Sequence, residues 1–259
     1  MTLDYKEQYC IIGAGAAGLA AARALSKAKI PFNVIESAQD VGGIWIYDRP
    51  DSPMYKNTHL IGHKTTQPFS DFPMPKDYPD YPNHRLVYEY LRNYAAHFNL
   101  YDFMEFNLSV EKIKKVGNFW DVTLSNQETR RYRGVLIASG YHSKPNIPQF
   151  SGHFDGEIIH SKDYDNPAQL NAKKVLVVGA GQSAMDLVVE AAINGSKTFH
   201  STRRGFLCMP KFLFGLPPEW VMINTPIMNL IPAQEHMKMM ALLSPIALFL
   251  QGVNLKKLN

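Results

Sequence analysis

A chain of 259 residues that is 46% hydrophobic carries enough apolar material for a sizeable core, divided over one or two domains. Its formal charge of +4 is modest and its basic residues are dispersed, which argues against a nucleic-acid partner. Cys10 and Cys208 form neither a CxxC pair nor a metal-ligand spacing, so the chain reads as reduced and cytoplasmic, without a metal site or dithiol chemistry, and Cys10 reads as a buried strand residue.

The first element is the apolar run Tyr9-Cys10-Ile11-Ile12, which predicts a buried strand. Strand and following helix account for the early apolar stretch, so no signal peptide is expected. Gly13-Ala14-Gly15-Ala16-Ala17-Gly18 follows at once and opens a helix over 16–28. This is the context in which GxGxxG binds a dinucleotide. Gly13 permits a tight turn, Gly15 lets the backbone reach a pyrophosphate, and Gly18 lets the helix approach the strand. The pyrophosphate would rest on the free N–H groups at the helix N-terminus. Glu36 ends the next apolar run, Phe32-Asn33-Val34-Ile35, about 20 residues on, where a carboxylate accepts ribose hydroxyls of an adenine dinucleotide. The alternative is an ordinary strand–turn–helix whose small residues serve packing alone.

Residues 46–84 are rich in proline and in tyrosine and phenylalanine with little periodicity, a composition expected of an ordered functional segment. Residues 85–98 repeat apolar side chains at 86, 90, 91, 94 and 98, one face of a helix. Val110–Val116, Phe119–Leu124 and Thr129–Arg133 predict a small antiparallel meander, and Gly134–Gly140 a separate buried strand ending in a glycine turn.

A second fingerprint, Gly179-Ala180-Gly181-Gln182-Ser183-Ala184, follows Val175-Leu176-Val177-Val178. Ala184 in the third glycine position is a substitution the motif allows. The next strand, Lys197-Thr198-Phe199-His200, ends in Ser201-Thr202-Arg203-Arg204 rather than in an acid. Arg and Ser there can pair with a 2′-phosphate by charge-assisted hydrogen bonds, so this site should prefer NADPH to NADH. The alternative is a solvated basic loop. Beyond it, 237–250 is apolar but carries Lys238 and Pro245 and is too short to span a bilayer. It is expected to be a core helix, with contact between 221–253 and a membrane surface or a second copy of the chain as the competing readings. Two dinucleotide folds on one chain suggest electron traffic between two cofactors.

Phe154-Asp155-Gly156-Glu157-Ile158-Ile159-His160-Ser161-Lys162-Asp163-Tyr164, between the fingerprints, fits FxGxxxHxxxY and so resembles the signature of the flavin-containing monooxygenase family, which lies in the same place there. Gly42-Gly43-Ile44-Trp45 is similar to its GGxW, Phe69-Ser70-Asp71-Phe72-Pro73-Met74-Pro75 to its FSDFPxP, and Ala138-Ser139-Gly140 to its ATG turn. The resemblance implies an α/β fold of two Rossmann-like domains: an FAD domain with a β-meander and the linker signature over 1–164, and an incomplete NADPH domain over 165–259. It implies contact with FAD for Gly13, Ala14, Gly15, Ala16, Ala17, Gly18, Glu36, Gly43, Ile44 and Trp45. Contact with NADPH is implied for Gly179, Gly181, Gln182, Ser183, Ala184, Ser201, Arg203 and Arg204. The implied reaction is reduction of FAD by NADPH, capture of O2 as a flavin hydroperoxide, and oxygen transfer to a small-molecule amine or sulfide. The cofactors carry that chemistry, so no side chain is assigned as catalytic acid or base. His160 and Tyr164 either join the chemistry or simply hold the linker.

Two departures from the family pattern qualify this. Ile61 stands where the family often shows an asparagine that hydrogen-bonds the flavin or NADP⁺; isoleucine offers no such group. His59, His63 and Lys64 are candidate substitutes, though exposed loop residues are the expected reading. Without that bond the enzyme would release hydrogen peroxide as an NADPH oxidase. The chain also ends before the family's pattern is complete, and the expectation is a truncated product or fragment stabilised by a partner or dimer, with a non-catalytic remnant that binds nucleotide or a partner as the alternative. Tyr164-Asp165, in place of Trp-Pro, argues against the Baeyer–Villiger branch.

Overall fold

The structure is a computed structural model that describes residues 2–50, 52–142, 144–206, 211–212, 215–218 and 220. Cys208 and the expected elements in 221–253 lie outside the described residues. The chain divides into two compact units, one made of Met1–His59 and Pro82–Asn166, the other of Leu60–Tyr81 and the chain from Pro167 on.

The first unit is built on a six-stranded sheet. Its strands are β1 (Thr2–Ile12), β2 (Phe32–Ile35), β3 (Met104–Glu105), β4 (Val110–Val116), β5 (Phe119–Leu124) and β6 (Thr129–Ile137), ordered β3-β2-β1-β6-β5-β4. β2, β1 and β6 run parallel, and β4–β5–β6 form the antiparallel meander. All four residues of β2 are buried, as expected of an interior parallel strand. Helix α1 (Ala16–Lys27) is alanine-rich, which favours helix, and it buries Gly18, Leu19 and Ala22 as one stripe. Helix α2 (His84–His97) starts where the Asn83 side chain accepts a hydrogen bond from the Leu86 N–H at 3.1 Å, and it buries Val87, Tyr90, Leu91 and Tyr94.

Two strand expectations need correction. The meander's third strand and the following strand are one element, β6, because the early residues of β1 extend the pairing: Thr2–Tyr5 pair with Thr129–Tyr132, and Tyr9–Ile12 pair with Gly134–Ile137. The register shifts between Tyr5 and Tyr9. Gly134 allows this, since a Cβ there would come within 2.6 Å of the Tyr9 ring. Nor is the end of β6 buried, for Ile137 is 71% exposed.

Under the meander, Cys10, Ile35, Val122, Leu124 and Tyr132 form a buried cluster, and burial pushes the Cys10 thiol up to about 12. Beside it the nearly buried Arg130 guanidinium donates to Glu105 (Nη2 to Oε2, 2.9 Å) and to Glu128. Hydrogen bonding to Arg130 holds the Glu105 carboxyl below its ordinary range.

In the second unit, parallel strands β7 (Lys174–Val178) and β8 (Lys197–Ser201) flank helix α3 (Gln182–Asn194) in sequence. Leu176, Val178 and Phe199 remain about half exposed. Among the described residues no helix is long and apolar enough to cross a membrane.

Candidate functional site

At the end of β1 the backbone turns at Gly13, whose φ of +99° suits only glycine. The Gly13 N–H donates to the Ile35 carbonyl (2.8 Å), and the Ala138 N–H donates to the Ile12 carbonyl (2.9 Å). The ends of β1, β2 and β6 therefore converge on this turn. Packing leaves no room for side chains: a Cβ on Gly13 would lie 2.6 Å from the Ala138 oxygen, and one on Gly18 only 1.8 Å from the Gly13 oxygen. Helix α1 sits directly on the turn as a result.

The opposite wall is Gly42-Gly43. The Gly42 N–H donates to the Ala14 carbonyl at 3.0 Å, and a Cβ on Gly43 would lie 2.9 Å from the Gly15 Cα, so the two loops touch backbone to backbone. A single 3₁₀ turn, Gly43–Trp45, then carries the half-buried Ile44 and Trp45. Gly15 caps α1 without a side-chain hydrogen bond, and no acidic residue stands in the first turn. Gly15 thus offers no side chain to the N–H groups at Ala16 and Ala17, and both residues are exposed.

Glu36 is where the sequence placed it, at the end of β2 beside the turn, but it is 5% exposed and already engaged. Its Oε2 accepts from the Ala14 N–H (2.5 Å), and its Oε1 accepts from the Ala38 N–H (2.8 Å) and the Ser37 hydroxyl (3.2 Å). A carboxylate offers about four lone-pair positions, and these donors already use three of them.

The second fingerprint is built more simply. The Gly179 N–H donates to the Ser201 carbonyl (3.0 Å), and His200 Nε2 donates to the Gly179 carbonyl (2.7 Å), which ties the turn to the end of β8. Ser201, Arg203 and Arg204 follow at that end and are exposed. Gln182, Ser183 and Ala184 open α3, again with no acid in the first turn. The Ala184 methyl would lie 3.5 Å from a Cβ on Gly179, while among the described residues nothing lies within 4 Å of a Cβ on Gly181. The role of His200 was not legible in the sequence, since a histidine near a strand end carries no signal of which carbonyl it reaches.

Two residues of the signature, His160 and Tyr164, make local contacts, while Phe154 is 63% exposed. His160 Nδ1 accepts from the Lys162 N–H at 3.1 Å, which starts the one-turn helix Ser161–Asp163. Tyr164 is buried edge-on against Tyr55, with ring centroids 5.7 Å apart. Next to it, the Tyr47 hydroxyl donates to Asp165, whose carboxylate pushes the phenol up to about 12.

His63 and Lys64 are not exposed loop residues. His63 is buried between the Thr65 hydroxyl (2.8 Å) and Asp80 (3.2 Å), and Lys64 donates to the Lys76 and Tyr78 carbonyls. These short-range bonds satisfy both side chains. Ile61 is 65% exposed.

Comparison with known proteins gives the family and the fold. The family model described as flavin-binding monooxygenase-like matches residues 6–243. Flavin-containing monooxygenase 5 of Rattus norvegicus is 33% identical over 216 residues, covering 77% of this chain and 40% of the relative. Dimethylaniline monooxygenase [N-oxide-forming] 2 of Oryctolagus cuniculus is 32% identical over 221 residues, covering 79% and 41%. The chain therefore spans about two-fifths of the length of these curated relatives. Among solved structures, S-allyl-L-cysteine S-oxygenase from Allium sativum superposes with a TM-score of 0.71 at 24% identity, over 81% of this chain and 54% of that one.

Proposed function

Because this chain belongs to the flavin-binding monooxygenase-like family, we propose that it carries the cofactor-binding part of an FAD- and NADPH-dependent monooxygenase. FAD would occupy the first fingerprint within 1–164, and NADPH the second within 165–259. One atom of O2 goes to a small-molecule amine or sulfide and the other leaves as water, with NADPH supplying the two electrons. An amine substrate is in keeping with the N-oxide-forming relative, at 32% identity.

Bound FAD and NADPH supply the hydride transfer and the activation of O2. The residues of the chain bind and orient. The observation that carries the reading is the convergence of Gly13–Gly18, Glu36 and Gly42–Gly43 around an uncapped helix N-terminus, which fits a pyrophosphate and an adjacent ribose. Ile44 and Trp45 would contact the flavin nucleotide. At the second fingerprint, Gly179, Gly181, Gln182, Ser183 and Ala184 would hold the pyrophosphate, and Ser201, Arg203 and Arg204 the 2′-phosphate.

A second reading, an NADPH oxidase that releases hydrogen peroxide, is favoured by Ile61 and by the internal bonding of His63 and Lys64, two of the three neighbours that could have replaced a donor there. The test is the visible absorbance of the purified chain, incubated with FAD and desalted, before and after NADPH under nitrogen. Retained flavin that bleaches is expected; absent or unbleachable flavin would refute FAD and NADPH use by this chain. After air is admitted, peroxide equal to the NADPH consumed, whatever amine or sulfide is added, would select the oxidase reading.

A further inference from the structure

Asp40 belongs to neither fingerprint, yet it draws three elements together immediately before Gly42-Gly43. Its carboxylate accepts from Tyr88 (hydroxyl, 3.0 Å) and Arg92 (Nε, 2.8 Å) on one face of α2, from the Tyr101 hydroxyl (2.9 Å), and from the Val41 N–H (2.8 Å). Tyr101 belongs to the one-turn helix Leu100–Phe103. The Tyr88 ring also packs on the Gly42 backbone, where a Cβ would come within 2.7 Å of it, and the Gly42 φ of +127° is open only to glycine. From there the Gly42 N–H reaches Ala14, and Gly43 abuts Gly15. Burial and the Asp40 carboxylate raise the Tyr101 hydroxyl to about 12, and burial with the same carboxylate raises that of Tyr88, so both donate throughout the physiological range.

We infer that Asp40 is a positioning residue for the FAD site: by gathering Tyr88, Arg92 and Tyr101 it holds the Gly42-Gly43 loop against Ala14-Gly15, so that the two backbones forming the pyrophosphate cradle keep their spacing. The inference rests on the proposed placement of FAD at the first fingerprint. It differs from a general structural role because the clamp acts on one loop, leaving the sheet and the second unit alone.

Two readouts separate the clamp from the cofactor assignment. In the chain without added cofactor, backbone hydrogen exchange should show the Gly42 amide protected; Asp40→Ala should speed its exchange about tenfold or more, with α3 unchanged. Tyr88→Phe, which keeps the ring on Gly42 and removes one donor, should give a smaller increase. In an equilibrium titration, Asp40→Ala should weaken FAD about tenfold while NADP⁺ affinity stays within about twofold, and Asp40→Asn, retaining an acceptor oxygen, should recover part of the loss. Unchanged Gly42 protection in Asp40→Ala overturns the clamp, as does equal loss of protection in α3. If the parent chain binds no FAD, the cofactor assignment fails, and hydrogen exchange alone still decides whether Asp40 holds the loop.

Discussion

The two fingerprints obey one sequence rule but are enforced differently. In the first, backbone meets backbone: the Gly18 position is filled by the Gly13 oxygen, the Gly13 position by Ala138, and the Gly43 position by Gly15. In the second, among the described residues, only Ala184 approaches Gly179 and nothing lies within 4 Å of a Cβ on Gly181. The first turn is therefore over-determined by tertiary packing. The second is held by two hydrogen bonds to the end of β8. A motif can thus mark a scaffold position in one unit and mainly a ligand-facing position in the other.

The sharpest way to break this comparison is Gly18→Ala, whose methyl would overlap the Gly13 carbonyl. It should cost at least about 3 kcal/mol of stability in urea unfolding, because backbone atoms cannot move aside cheaply. Arg130→Ala should cost about 1–2 kcal/mol, mostly in lost packing and charge-assisted hydrogen bonds, because Glu105 and Glu128 are 41% and 25% exposed and regain water. The same pair gives that unit an acid signature. Arg130 lowers the Glu105 carboxyl in the folded state, so the stabilisation is complete above the ordinary value of 4.5 and is lost as pH falls through the lowered one. Stability measured between about pH 3 and 6 should fall less steeply in Arg130→Ala than in the parent.

The second unit should respond in ligand affinity rather than in stability. Replacing Arg203 and Arg204 together by Ala should weaken NADPH about 10- to 100-fold and NADH by no more than about twofold, read as separate KM or Kd values. Equal loss for both nucleotides would contradict recognition of a 2′-phosphate. The smallest stability effect belongs to Gly181→Ala, at about 1 kcal/mol or less, the cost of an alanine N-cap. Its methyl should nonetheless hinder NADPH, since it stands where a pyrophosphate would approach the backbone. A loss of stability matching that of Gly18→Ala would erase the distinction between the two turns.

Local pattern carried much of this protein into view. Strand–glycine–helix order located both turns and the start of α1, the charge at the next strand end separated Glu36 from Arg203 and Arg204, and apolar spacing located α2. These features depend on backbone conformation and periodicity over a few residues, which a sequence determines by itself. Tertiary structure decided what those residues touch. That β1 extends back to Thr2, that Glu36 is occupied by the Ala14 N–H, that His63 is buried against Asp80, and that Asp40 gathers Tyr88, Arg92 and Tyr101 each depends on partners brought close by folding. Hydrogen bonds and close packing act over a few ångströms of space, and no spacing along the chain encodes which distant group will arrive there.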